Sequence, residues 1–232
     1  MTSTYERALI IGAGGGLSAS LARAFTAAGL RVGLAARGTE KLSGLDQELG
    51  ATARPCDASR PAEVEALFTA MDAALGGPPD VVYNAGARLR GPLLDLDPTE
   101  VARSLEVTAL GGFHVAQAAA RRMVPRRRGA ILFTGASASV KGYAGSAPFA
   151  MGKFALRGLA QSLAREFQPQ GIHVAHFVID GAIRNPGRTE PADAPDSMLD
   201  PDAIARTYLH VLGQDRSAWS SEVELRPWVE RF

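Results

Sequence analysis

Residues 8–18 read Ala8-Leu9-Ile10-Ile11-Gly12-Ala13-Gly14-Gly15-Gly16-Leu17-Ser18. A short apolar run, the pattern of a buried strand, breaks into a glycine-rich turn. Beyond it Leu17, Leu21, Ala24, Phe25 and Ala28 recur at helical spacing, and Gly29 ends the helix. Strand, glycine turn and helix in that order form a cradle for a pyrophosphate. Glycines let the backbone turn sharply and approach the ligand, and the amides and dipole of the helix N-terminus favour negative charge. Gly12, Gly14, Gly15, Gly16 and Leu17 are therefore the candidate phosphate contacts.

The pattern repeats outward from this unit. Apolar runs at 31–36, 80–83, 130–134 and 173–179 read as strands, and stretches near 61–75, 98–123, 148–167 and 201–213 read as helices. Strands separated by helices need crossovers, hence parallel pairing and a sheet covered on both faces. The expectation is an α/β doubly wound parallel sheet, a single Rossmann-type domain over residues 1–232. Residues 184–200, rich in Pro, Asp, Arg and Ala, read as a mobile loop. Glu222-Val223-Glu224-Leu225 alternates like an exposed or edge strand.

Composition narrows the functions further. The chain has 232 residues, 46% hydrophobic and 21% charged, with 25 Lys+Arg against 24 Asp+Glu. A net charge of +1 gives no global reason to bind nucleic acid or an anionic membrane. Arg121-Arg122 and Arg126-Arg127-Arg128 read as cations near a helix end and a solvated turn. The single cysteine, Cys56, excludes an internal disulfide and a multi-cysteine metal site. His114, His173 and His176 form no metal-like group with a carboxylate, so no metal is expected. No apolar run approaches a membrane span and no leader pattern opens the chain, which makes the cytoplasm the default location.

The ordered motifs resemble the short-chain dehydrogenase/reductase family. Its Gly-x-x-x-Gly-x-Gly pattern is matched by Gly12 and Gly16, with Ser18 in the third place. Cys56-Asp57-Ala58 looks like the family's adenine-contacting segment. Asn84-Ala85-Gly86 matches its turn after the fourth strand, with Tyr83 where a second Asn is usual. Gly181 sits in what is normally a Pro-Gly turn. The resemblance implies cofactor contacts from Asp57, Ala58, Asn84, Ala85, Gly86 and Gly181, residues 184–200 as a substrate lid, and a homodimer or homotetramer through the helices at 98–123 and 148–167. At the end of the second strand Ala36 takes the acidic place that favours NAD, and Arg37 follows. An arginine there accepts a ribose 2′-phosphate, so NADP(H) is expected over NAD(H).

The family's chemistry is hydride transfer between nicotinamide and a small carbonyl or alcohol. A tyrosine exchanges the proton, a lysine four residues later holds the nicotinamide ribose, a serine bonds the substrate oxygen, and an asparagine supports a relay. Lys153 is present, and the resemblance implies for it both the catalytic and the cofactor role of that lysine. The tyrosine place holds Phe149, the serine place Ala136 and the asparagine place Thr108. Losing a positioned acid costs roughly 10²–10⁴ in rate, so the standard mechanism cannot run as written. Ser137, Ser139, Tyr143, Tyr83 and Asp180 are the polar groups near enough in sequence to stand in, with Ser137 and Tyr143 the leading candidates beside Lys153. Two functions remain: an oxidoreductase with a non-standard proton donor, and an NADP(H)-binding pseudoenzyme acting as sensor, scaffold or oligomer partner.

Overall fold

A computed structural model describes residues 5–230, Lys41 by its backbone alone. The first four residues, read above for a leader, and the last two lie outside the described residues. In chain order the main elements are β1 (Arg7–Ile11), α1 (Leu17–Ala27), β2 (Arg31–Ala36), α2 (Ser43–Leu49), β3 (Thr52–Pro55), α3 (Pro61–Ala74) and β4 (Asp80–Tyr83). There follow α4 (Pro98–Leu105), α5 (Gly111–Met123), β5 (Gly129–Thr134), α6 (Ala147–Phe167) and β6 (Ile172–Ile179). The chain closes with β7 (Ala182–Ile183), β8 (Met198–Leu199), α7 (Pro201–Leu212) and β9 (Glu222–Leu225).

Seven strands form one parallel sheet in the order β3-β2-β1-β4-β5-β6-β9. The order reverses between β1 and β4. At such a reversal the connections diverge to opposite faces and leave a crevice beyond the strand ends.

Alternate side chains of each strand supply two cores. Ile10, Val82 and Leu132 pack on one face with Leu21 and Phe25 of α1 and Ile204 and Tyr208 of α7. Leu9, Ile11, Ile131 and Phe133 pack on the other with Phe68 of α3, Val115 of α5 and Leu156 of α6. Each fully buried residue of this size contributes roughly 1.5–3 kcal/mol relative to exposure.

Three features depart from expectation. The β3 strand, Thr-Ala-Arg-Pro, carries no apolar alternation because it is a half-exposed edge, held in register by Gly33↔Thr52 through Ala36↔Pro55. The expected helix over 98–123 is broken by a π-turn at Glu106–Leu110, where the Gly111 amide reaches back to the Glu106 carbonyl. The Tyr83 hydroxyl donates to the Val107 carbonyl inside that turn, and the Thr108 hydroxyl accepts from the Ala87 amide at 3.0 Å. Those two bonds tie the turn to the segment after β4. Finally, the segment read as a mobile loop is tethered along its length. β7 pairs with β8, Asn185 bridges Arg188, Arg184 pairs with Asp200 at 2.5 Å, and the Trp228 indole donates to Asp196.

Candidate active site

The glycine turn sits at the β1/β4 crevice. Gly12 has φ +86°, and a Cβ there would lie 2.4 Å from the Ala85 amide nitrogen and 2.8 Å from the Asn84 carbonyl carbon. Only glycine serves, since the conformation is left-handed and the Asn84-Ala85-Gly86 turn is packed against it. A Cβ at Gly14 or Gly15 would meet nothing within 4 Å. These two positions face open space rather than protein, as a ligand cradle requires. No side chain caps α1, whereas Asp97 caps α4 and Asp200 caps α7. The amides at the start of α1 are thus left for a ligand.

Ser18 does more than fit where a glycine is usual. Its hydroxyl donates to the Gly12 carbonyl at 3.1 Å and accepts from the Asn84 amide at 2.7 Å, which locks the turn to β4.

The cleft leading away from the turn has a volume of about 340 Å³. Gly12, Ala36, Arg37, Asp57, Ala58 and Asn84 line it. Arg37 is exposed and has no carboxylate partner among the described residues. Burial raises the pKa of Asp57, but two hydrogen bonds from Ser59 and the charges of Arg37 and Arg60 outweigh it and hold the carboxyl below the usual range. Cys56 is buried beside it, its thiol pushed up to about 11 by desolvation and then by Glu63 and Asp57, so it is an inert packing residue.

At the other end of the crevice stands Lys153 on α6. Its ammonium is buried and donates to the Thr134 carbonyl at 2.7 Å, and desolvation lowers its pKa to about 8. A Cβ on Gly86 would lie 3.5 Å from this ammonium. A Cβ on Gly152 would lie 3.0 Å from Thr108 Cβ, a tight contact that the glycine avoids. The helix therefore approaches the π-turn closely enough to bring Lys153 under the Asn84-Ala85-Gly86 turn.

A second pocket, of about 270 Å³, adjoins the glycine turn. Gly16, Gly135, Ala136, Gly181 and Ile183 form its neutral walls. No hydroxyl-bearing side chain lines it. Ser139 is fully buried, its hydroxyl accepting from the Ala136 amide at 3.1 Å. Ser137 opens the short turn after β5, with its carbonyl accepting from Val140 and Lys141. Tyr143 is 46% exposed and lies outside the pocket lining. Tyr83 is buried beneath Gly111 and Gly112, committed to Val107, with burial raising its pKa. Asp180 is not free either, since it pairs with Lys141 at 3.0 Å and lies 3.6 Å from Arg226.

Three of the four histidines have structural contacts. His173 stacks on Trp219 with ring centroids 4.6 Å apart, and His114 bonds the Ala58 carbonyl. His176 lies 3.3 Å from Glu222, with burial, partly opposed by that carboxylate, driving its pKa down to about 4.

A family model described as short chain dehydrogenase matches residues 6–190. The chain belongs to the short-chain dehydrogenase family. An uncharacterized oxidoreductase of Staphylococcus aureus is 26% identical over 230 residues, spanning 97% of this chain and 98% of that one. Nodulation protein G of Rhizobium sp. is 32% identical over 173 residues, 74% of this chain and 71% of its own. Among solved structures, a short-chain dehydrogenase from Rhodopseudomonas palustris shares 36% identity with a TM-score of 0.82, covering 96% of this chain and 99% of that one. A variant of actinorhodin polyketide ketoreductase with NADPH shares 25% identity and a TM-score of 0.88, covering 96% of each chain.

Short-chain dehydrogenases are oxidoreductases whose fold binds NAD(P). One residue at this site escaped the sequence reading. The Arg88 guanidinium carbon sits 5.9 Å from the centroid of the Phe149 ring, a cation–π arrangement, and Arg88 lines the second pocket. A lone arginine two residues beyond Asn84-Ala85-Gly86 gives no sequence signal, because only the fold sets α6 beside it.

Proposed function

We propose that this short-chain dehydrogenase binds NADP(H) in preference to NAD(H) and interconverts a small carbonyl and alcohol without a side-chain hydroxyl as proton donor. One observation carries the reading. The open glycine cradle, the cleft lined by Arg37 and the buried Lys153, whose ammonium lies 3.5 Å from where a Gly86 Cβ would stand, all lie at the β1/β4 crevice. Gly14, Gly15, Gly16 and Leu17 hold the pyrophosphate. Asp57 and Ala58 face the adenine, Asn84, Ala85 and Gly86 flank the ribose path, and Gly181 borders the nicotinamide. Arg37 meets the 2′-phosphate with a charge-assisted, bidentate-capable donor. The NADPH bound by the actinorhodin ketoreductase variant and the NADP bound by a metagenomic short-chain oxidoreductase support that preference.

When bound, the nicotinamide supplies or accepts a hydride. Lys153 holds the nicotinamide ribose and presents a positive charge near the reacting oxygen. The proton for the nascent alcohol comes from water, since Phe149 has none to give. Ser137 and Tyr143 remain donors only by movement of the turn after β5. Residues 184–200 cover the substrate. Leu110, Phe113, Met151 and Phe154, all exposed, give α5, α6 and the turn before α5 an apolar face suited to a homodimer or homotetramer. Sedimentation as a monomer at micromolar concentration would contradict that assembly.

The hydroxyl-free second pocket favours a second reading, an NADP(H)-binding protein without redox turnover. NADPH oxidation over a panel of aldehydes and ketones separates the two. Turnover abolished by Lys153→Ala supports the oxidoreductase. Tight NADPH binding with no turnover on any carbonyl supports the binding protein.

A further inference from the structure

The second pocket is lined by neutral groups and by arginines. Arg88, Arg184 and Arg188 line it, and no acidic side chain does. Arg184 is neutralised by Asp200. Arg88 and Arg188 have no carboxylate within ion-pair distance among the described residues, and Arg88 rests on an aromatic face instead. Burial, and then the neighbouring Arg90 and Arg188, hold the Arg88 guanidinium below its ordinary pKa. Arg88 and Arg188, both exposed, thus line one pocket with no carboxylate partner among the described residues, and Arg88 rests on the Phe149 ring. Assembling such a cluster is unfavourable in the free protein and becomes favourable when an anion enters.

Elsewhere the protein shows what arginines do when they serve structure. Arg127, Arg165 and Arg216 line another cavity, but each donates to a backbone carbonyl: Arg127 to Pro169, Arg165 to Gln161 and Arg216 to Arg127. Arg122 is clamped by Glu65 and Asp72 at 2.7 Å each. Among the described residues neither Arg88 nor Arg188 has a side-chain hydrogen bond of this kind. The Arg88 guanidinium also lies over the ring at position 149, the family's substrate-facing place, rather than along the path to the adenine.

We propose that the Arg88 end of this pocket, next to Phe149, receives an oxyanion of the substrate, a carboxylate or a phosphate, bound by Arg88 and assisted by Arg188, the Gly16, Leu17 and Gly181 end being the cofactor's. The substrate class is then an anionic carbonyl or alcohol compound. Planar guanidinium forks match both oxyanions. The proposal rests on the oxidoreductase reading for the identity of the pocket, but not for the arginines' ability to bind an anion.

The test is calorimetric titration of the NADPH-loaded protein with benzoate, phenyl phosphate and benzamide, which share a ring and differ in charge. At least one anion binds about tenfold or more tighter than benzamide, and the tighter of the two identifies carboxylate or phosphate as the ligand chemistry. Arg88→Gln, which keeps side-chain length and is checked for folding by its melting curve, removes about tenfold of the anion's affinity, and Arg188→Gln removes less. Equal binding of the anions and benzamide overturns the proposal. So does an Arg88→Gln variant that weakens NADPH as much as it weakens the anion, because the guanidinium would then serve the cofactor. If the protein binds no NADPH, the functional reading above falls, and the titration is run without nucleotide. There an Arg88-dependent preference for the anion sustains this proposal and its absence overturns it.

Discussion

Two adjoining regions of the crevice are built from different materials. Along the first lie a left-handed Gly12, open Gly14 and Gly15, an uncapped α1 and a buried Lys153. The pocket beside it has Ala136 and no hydroxyl-bearing side chain in its lining, and its Arg88 lies over the Phe149 ring. Backbone geometry governs the first region and side-chain chemistry the second. A fold can therefore preserve binding while the proton-handling groups change, because the cradle needs only amides and room.

The largest expected effect lies in the cradle. Gly12→Val forces a β-branched residue into positive φ and into the Ala85 backbone. Denaturation should show a loss of about 3–5 kcal/mol, and nucleotide binding should disappear. A variant of near-native stability would mean that the Gly12 turn is not the tight contact described.

The far end of the sheet provides a control. Asp80 is buried where β4 begins and accepts from the Ala130 amide at 2.8 Å, and desolvation raises its pKa to about 7. A carboxyl that holds its proton more tightly when folded contributes stability fully below about pH 4 and loses that contribution as pH rises through about 7. Asp80→Asn keeps the acceptor and removes the charge. It should raise stability by about 2–3 kcal/mol at pH 8, under about 1 kcal/mol at pH 4, and leave NADPH affinity alone. A gain that does not grow with pH contradicts the assignment.

Lys153 tests the boundary between the two regions. Its pKa of about 8 means that the charged form is disfavoured in the folded state, so its contribution to stability is complete only above the ordinary lysine value and is lost as pH falls through about 8. At pH 7, Lys153→Met should stabilise the free protein by about 2 kcal/mol, the relieved burial of charge being partly offset by the bond lost from Thr134. NADPH binding should weaken at the same time by about tenfold or more. Loss of stability together with loss of binding would make Lys153 a structural residue.

How far these features were legible follows from what each depends on. The glycine turn, the buried strands and the sites of Lys153, Phe149 and Ala136 are local patterns, readable as strings. The β3 strand was not, since an edge strand need not alternate, and Thr52–Pro55 is held by its ladder with β2. The π-turn was hidden for another reason. It depends on Tyr83, more than twenty residues away in sequence, bonding Val107, and on glycines at 111 and 112 admitting that ring. Asp180 and Tyr83 looked available for chemistry because sequence does not show that Lys141 and Val107 already engage them. Arg88 was missed because its significance is a contact with a helix sixty residues on.

The smallest predicted change sharpens the comparison within the cleft itself. Arg37→Ala should weaken NADPH by about tenfold and leave NADH nearly unchanged, consistent with one charge-assisted contact to a phosphate.

In the proposed function a complete phosphorylated-dinucleotide site stands beside an altered proton-transfer site. Equilibrium titration of the unmodified protein with NADPH and NADH under identical conditions tests it most directly. Saturable NADPH binding at least about tenfold tighter than NADH is the predicted result. Equal affinities, or no binding of either nucleotide, would contradict it.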